Sequence, residues 1–279
     1  MKSTRTLVAF GVASVLTAGP AIAVQESGAL ECADRSIAAL DPPPGAPEEP
    51  PADPTYSPMR GFSDADLGVG HLVLAVDTLP KWWLWHHAVW LPLAEQPGAM
   101  PWAWLANGWL VETGKPEADP LPIDASGMVE TGYEIPSFVV LEERGDGWLR
   151  FRYATATDAR DGTAWAHPCQ LAGGRLPVQY VRWADWFMRD GWPLYFRTDV
   201  RHALRSEPAI ESEHIMWIPV AKHEYLLEPL EIRGDWMRVR VKQPSDHCWD
   251  PPEVRVDEGW VRWRGPERGP WVWYHSRGC

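Results

Sequence analysis

Two stretches decide the fold: residues 138–153, FVVLEERGDGWLRFRY, and residues 227–241, LEPLEIRGDWMRVRV. Each has a β-rich run, a turn containing Gly-Asp, and a Trp that opens an alternating strand. A short Trp segment follows each copy, at Gly162–Ala166 and Gly259–Val261, and a similar Leu-to-Pro segment precedes each, at Leu93–Pro97 and Leu204–Pro208. A pattern that recurs in the same order predicts two copies of a small all-β unit.

The two copies resemble bacterial SH3-like domains, and the second copy is the clearer. It carries Leu204-Arg-Ser-Glu-Pro208, the Gly234-Asp-Trp236 turn and the closing Gly259-Trp-Val261, whereas the first has Ala164-Trp165-Ala166 at the last position. The resemblance implies an all-β fold of two tandem small SH3-like barrels with long loop insertions. It also implies binding of cell-wall material or peptides, or a spacer role beside an enzyme, although a fold does not fix a function.

The order of segments predicts four regions. A basic start, an apolar run and Ala21-Ile22-Ala23 predict a signal peptide over 1–23, cleaved after Ala23, and hence a periplasmic or secreted protein. An N-terminal tail with a Pro-rich linker follows over 24–65. The first SH3-like domain is predicted over 66–172 and the second over 173–279, because Gly173-Gly174 breaks the pattern.

The linker holds eight prolines and four acidic residues over 41–58, DPPPGAPEEPPADPTYSP. Such a stretch cannot bury a core and is expected in the extended polyproline form. A spacer is one interpretation; a segment that docks into an SH3-like groove is the other.

The formal net charge of −12 argues against nucleic acid and anionic membrane surfaces as partners, because phosphate backbones attract basic proteins. No later stretch reaches the roughly 20 apolar residues of a membrane span. Four cysteines in an exported chain favour disulfides over free thiols, and they allow three pairings. We favour the pairs Cys248–Cys279 and Cys32–Cys169.

Nineteen tryptophans are the strongest compositional signal, since an indole combines a large apolar area with one N–H donor. Core or barrel positions are expected for Trp148, Trp165, Trp236 and Trp260, with Trp236 largely buried. Four tryptophans crowd residues 82–90, where alternation would send neighbours to opposite faces. The candidate ligand surface is therefore formed by Trp82, Trp83, Trp85 and Trp90.

No catalytic residue is predicted. The chain has no G-x-S-x-G, no H-E-x-x-H and no phosphate-binding glycine loop. The His-Cys neighbours lack the paired spacing of zinc sites, so neither a metal nor a cofactor is expected. The sequence favours a non-catalytic binding or scaffolding protein that engages cell-wall glycopeptide or an envelope partner protein. The alternative is a structural or assembly factor with no small ligand, and an enzyme with an unrecognised site is the third interpretation.

Overall fold

The computed structural model describes residues 45–51, 66–75, 82–115, 118–132, 135–156, 161–172, 176–189, 193–197, 202–218, 225–243, 255–265 and 269–274. All of these belong to one compact unit, Cys32–Cys279. The predicted signal peptide lies outside the described residues.

Antiparallel strands make up most of the described chain, as the sequence predicts for an all-β fold. The first ten are β1 (Gly70–Leu74), β2 (Trp90–Leu93), β3 (Ala103–Ala106), β4 (Trp109–Glu112), β5 (Leu121–Pro122), β6 (Met128–Gly132), β7 (Ile135–Glu143), β8 (Leu149–Ala154), β9 (Asp161–Ala166) and β10 (Val178–Arg182). The others are β11 (Leu194–Phe196), β12 (His202–Arg205), β13 (His214–Ile218), β14 (Leu226–Arg233), β15 (Trp236–Gln243), β16 (Arg255–Arg262), β17 (Arg264–Gly265), β18 (Gly269–Pro270) and β19 (Val272–Tyr274). Helical pieces are short: α1 (Pro168–Ala172), α2 (Trp183–Arg189) and 3₁₀ turns at Trp82–His87 and Ala125–Gly127.

The strands follow one order twice. In the first half the order is β10-β1-β7-β8-β9, and β9 then meets the sheet β2-β3-β4-β5 through a bridge between Ala94 and Trp165. In the second half one sheet runs β19-β11-β14-β15-β16-β12-β13. Each strand of the second sheet therefore has a counterpart in the first half, in the same chain order. None of these sheets closes into a barrel within the described residues.

The two Gly-Asp hairpins share their register. Arg150 pairs with Glu142 and Trp165, and Arg238 pairs with Glu231 and Trp260. The pairing shifts by one residue at the same distance before each turn, between Val140 and Glu142 and between Pro229 and Glu231. Residues 149–153 and 236–241 lie in antiparallel strands beside Trp165 and Trp260, as predicted, and Trp148 precedes β8; the predicted superposition of the two segments stays a prediction.

Each half has its own apolar core. The first cluster is formed around Leu72, Phe138 and Phe151, and the second around Met237, Val239 and Val261, all of them fully buried. Leu67 and Val139 belong to the second cluster, although they precede the predicted boundary at residue 173. Strand β10, which follows that boundary, pairs with β1. The division at 172/173 stays a prediction.

Trp236 corrects one expectation. It is only partly buried, whereas Met237, Val239 and Val241 are buried. Successive side chains of a strand point to opposite faces, so the residue before Met237 shares the outer face with Arg238 and Arg240. Trp148 and Trp260 are buried as expected, and Trp165 is partly buried.

Candidate functional site

The sheet β2–β4 has one face in the core and one face made largely of tryptophan. Its core side carries Leu91, Leu93, Ala103, Leu105 and Leu110. The other side carries Trp90, Trp104, Ala106, Trp109 and Val111, which we call the tryptophan face. The pairings Trp90–Ala106, Trp109–Ala106 and Val111–Trp104 put these residues on one side of three adjacent strands. The period of two in these strands thus produces an aromatic surface opposite an aliphatic one.

A two-residue turn, Asn107-Gly108, joins β3 to β4 and completes this face. Both residues have positive φ, 51° and 84°. Asn-Gly favours such hairpin turns, because Asn tolerates this conformation and Gly has no Cβ. A Cβ at Gly108 would lie 2.9 Å from the His87 ring and 3.0 Å from Pro51. The turn therefore lets another segment of the chain approach closely.

That segment is residues 45–51, Gly-Ala-Pro-Glu-Glu-Pro-Pro, part of the Pro-rich linker. The amide Nδ2 of Asn107 donates to the carbonyl oxygen of Pro47 at 2.8 Å, and the indole Nε1 of Trp109 donates to the carbonyl oxygen of Glu49 at 2.9 Å. Ala46 packs against the tryptophan face, and Pro51 is buried. Residues 45–51 of the linker therefore lie against the sheet β2–β4, and docking into an SH3-like groove stays a prediction.

The chemistry of this contact is complementary. A proline has a carbonyl acceptor but no N–H donor, so a proline-rich chain offers mostly acceptors. The face supplies side-chain donors, from an indole and an amide. Both hydrogen bonds go to main-chain oxygens, which every peptide carries. The face thus binds the proline-rich segment through main-chain carbonyl groups, and Ala46 adds an apolar contact.

Trp90 offers a further donor on the same face. Its Nε1 is buried and has no hydrogen-bond partner among the described residues. A buried unpaired N–H is costly, by about 1–3 kcal/mol, so such a group is well placed to donate a hydrogen bond to a carbonyl oxygen or a water.

The four predicted ligand tryptophans have different positions. Trp85 is 1% exposed; its Nε1 donates to the carbonyl oxygen of Pro136 at 2.5 Å, and its ring packs edge-on against Phe138. Trp85 is therefore a core residue rather than a surface one. Trp90 lies on the tryptophan face, and the side chains of Trp82 and Trp83 fall outside the described part. The segment is a 3₁₀ turn with three residues per turn, so strand alternation does not apply to it.

Cys169 in α1 is disulfide-bonded. Cys32, Cys248 and Cys279 lie outside the described residues, so both favoured pairings stay predictions. The neighbouring His167 accepts the Cys169 N–H at 3.2 Å through Nδ1.

Buried histidines are a second feature of the interior. Burial lowers the pKa of His71 and of His86 to about 3, and the positive charge of Arg189 adds to the effect at His71. Both rings are therefore neutral at pH 7. Within the described ranges no group of three His, Cys, Asp or Glu side chains converges as a metal site would require.

A groove of about 400 Å³ lies where the two halves meet. Its charged residues are largely paired: Arg264 with Asp235 at 2.6 Å, and Arg150 with Glu142 at 3.1 Å. These ion pairs leave little unbalanced charge for a ligand, so the tryptophan face is the stronger candidate site.

Sequence reasoning did not find Asn107, Trp104 or Trp109 as site residues. The signal was present in the alternation of residues 102–111 around Asn-Gly, which is typical of a hairpin with one aromatic face. What covers that face is a contact across sixty residues, which no local pattern shows.

Comparison with known proteins gives no significant match: no family model, no curated protein and no solved structure is significantly similar to the chain. No helix in the described part is long and apolar enough to cross a membrane.

Proposed function

We propose that the chain is an exported, non-catalytic binding or scaffolding protein of two SH3-like units, which engages extended, proline-rich stretches of an envelope partner protein. One observation carries the proposal: the tryptophan face holds residues 45–51 through donors directed at main-chain carbonyl oxygens. A surface that binds the proline-rich segment of its own chain has the chemistry to bind a similar segment of another protein.

The two-unit architecture is supported by the repeated strand order. The bridge Ala94–Trp165 in the first half corresponds to the pair Arg205–Trp260 in the second, in addition to the shared register of the hairpins. Since β10 pairs with β1, as β19 pairs with β11, we propose that β10 belongs to the first unit, although it follows the predicted boundary at residue 173.

Glycopeptide binding is the less favoured form of the proposal. The occupant of the face is a polypeptide, bound through its carbonyl groups and Ala46 rather than by stacking of an open indole. A structural role is the second candidate, because the face is already covered within the chain. In that case residues 45–51 are a permanent part of the fold, and no segment of another protein competes with them for the tryptophan face.

Displacing the internal segment separates these roles. Ala46→Asp places a charge where Ala46 packs, and it leaves the face itself intact. We expect this variant to bind an added peptide of residues 41–54 more tightly than wild type does. The double variant Ala46→Asp/Trp109→Ala should lose that gain.

Peptide binding is measured by fluorescence anisotropy with a labelled peptide, beside a pull-down on cell-wall sacculi with an albumin control. If neither wild type nor Ala46→Asp binds the peptide, the peptide proposal fails. Sacculus binding would then indicate glycopeptide, and absence of both would favour the structural role.

A further inference from the structure

A space for one proline ring lies beside the Asn107-Gly108 turn. Pro51 is buried, and an added Cβ at Gly108 would lie 3.0 Å from the Cδ atom of Pro51 and 2.9 Å from the Cδ2 atom of His87. Both rings therefore lie against the space that a side chain at Gly108 would fill. We call the space beside Gly108 and His87 that receives Pro51 the proline slot.

The other end of the segment is held by a small side chain. Ala46 packs against the cluster of Trp104, Ala106 and Val111. A charged residue at this position would bring its charge against apolar groups, which is unfavourable. Ala46 precedes Pro51 by five positions in the chain, so the spacing between a small residue and a proline matches the spacing of the two contacts on the protein.

Between these ends the protein binds the main chain. The carbonyl oxygens of Pro47 and Glu49 accept the two hydrogen bonds described above. Glu48, Glu49 and Pro50 are exposed. Because every residue carries a carbonyl group, hydrogen bonds of this kind select little among side chains.

We infer that the tryptophan face is specific for segments with a small residue and, five positions later, a proline that enters the proline slot, with little selection at the third, fourth and fifth positions. This inference rests on the proposed function, and it adds the sequence by which an envelope partner protein would be recognised. Residues 46–51, APEEPP, are the copy of that sequence within the chain itself.

Proline suits the slot for two physical reasons. Its ring fixes φ, so a proline loses less conformational freedom on binding than another residue does. Its nitrogen carries no hydrogen, so no main-chain donor has to find a partner at a buried position. Alanine in place of Pro51 would lose the apolar ring and add such a donor.

The test uses the full-length Ala46→Asp protein, in which we expect the internal segment to be displaced, and a labelled peptide of residues 41–54, followed by fluorescence anisotropy. Unlabelled peptides then compete for the face. The Pro51→Ala peptide should compete about tenfold less well than the wild-type peptide, as loss of a buried contact residue does at interfaces. The Pro50→Ala peptide is the matched control, because it changes the exposed neighbour. It should compete within about twofold of wild type.

The slot is also tested on the protein. Gly108→Ala, added to Ala46→Asp, places a methyl group in the slot and should weaken binding of the wild-type peptide about tenfold. Gly114→Ala is its control: Gly114 follows β4, has φ +75° and has nothing within 4 Å of an added Cβ, so it carries backbone strain without the contact. It should leave peptide affinity unchanged. The peptide variants keep the test valid even if Gly108→Ala does not fold.

The outcomes separate this inference from the proposed function. Equal competition by the Pro50→Ala and Pro51→Ala peptides would overturn the inference, while the proposed function would stand, because the peptide would still bind. Peptide affinity that a folded Gly108→Ala variant leaves unchanged would overturn it as well. If the Ala46→Asp protein binds no peptide at all, the inference and the peptide-binding proposal both fail.

Discussion

The indole Nε1 of Trp109 donates to the carbonyl oxygen of Glu49 at 2.9 Å, across sixty positions of the chain. This bond and that from Asn107 to Pro47 connect the proline-rich linker to the β3–β4 hairpin. Composition alone would assign this segment to a spacer. Residues 45–51 instead lie against the tryptophan face.

Removing the Trp109 donor should loosen the linker. Trp109→Phe keeps a ring and loses the N–H, and a typical hydrogen bond contributes about 1 kcal/mol, so the undocked fraction should rise about fivefold. A Glu-specific protease should then cleave after Glu48 several-fold faster, as measured by mass spectrometry. Trp217→Phe, in the other unit, should cleave at the wild-type rate. Equal rates for Trp109→Phe and wild type would show that the bond does not hold the segment.

The core of the second unit should depend on Met237 more than on Trp236. Met237 is fully buried, so Met237→Ala should lower the free energy of unfolding by about 2–5 kcal/mol. Trp236 is only partly buried, and Trp236→Ala should cost about 1–2 kcal/mol. Urea denaturation of both variants measures the difference. A larger loss of unfolding free energy for Trp236→Ala than for Met237→Ala would show that the core lies on the Trp236 side of β15, contrary to this account.

Gly68 should tolerate no side chain. Its φ is +55°, and a Cβ there would lie 2.1 Å from the carbonyl oxygen of Val140. Steric strain and left-handed backbone together should make Gly68→Ala cost about 2–4 kcal/mol. Gly98 is the matched control, with φ +79° and nothing within 4 Å of its added Cβ. Gly98→Ala should cost only about 1–2 kcal/mol, from the backbone alone, and equal losses in thermal melts would contradict the packing at Gly68.

His71 should make stability depend on pH. Its folded pKa is lowered to about 3, mainly by burial, whereas the unfolded value is 6.5. Between these values the unfolded chain binds a proton that the folded chain does not, so stability is lost as pH falls below 6.5, by about 1.4 kcal/mol per pH unit. His86 contributes in the same direction.

The measurement is the urea midpoint at pH 7.0 and pH 5.0. His71→Phe keeps a flat ring against Trp183, whose ring lies 4.5 Å from that of His71, and removes the titrating group. The shift of the midpoint between the two pH values should therefore be smaller in this variant. An unchanged shift would mean that His71 is protonated inside the folded protein.

The parts of the fold that local sequence determines were predictable. A Gly-Asp turn between alternating residues predicts a hairpin, and both hairpins form with Trp165 and Trp260 on the next strand. Residues 82–87 were different: WWLWHH has no polar alternation to select a period, and it forms a 3₁₀ turn with Trp85 inside. The tryptophan face was missed because its cover comes from a distant segment. The position of Trp236 was predictable, because Met237, Val239 and Val241 alternate with Arg238 and Arg240, and this alternation puts Trp236 on the arginine face.

The central claim is that Trp109 holds the proline-rich segment, and the most direct measurement is the nuclear magnetic resonance signal of its indole N–H. That signal is identified by its disappearance in Trp109→Phe. The account predicts slow exchange of this proton with solvent, cross-peaks to protons of Glu49 and Pro50, and loss of both in Ala46→Asp. An indole proton that exchanges rapidly and shows no cross-peak to residues 45–51 would contradict it.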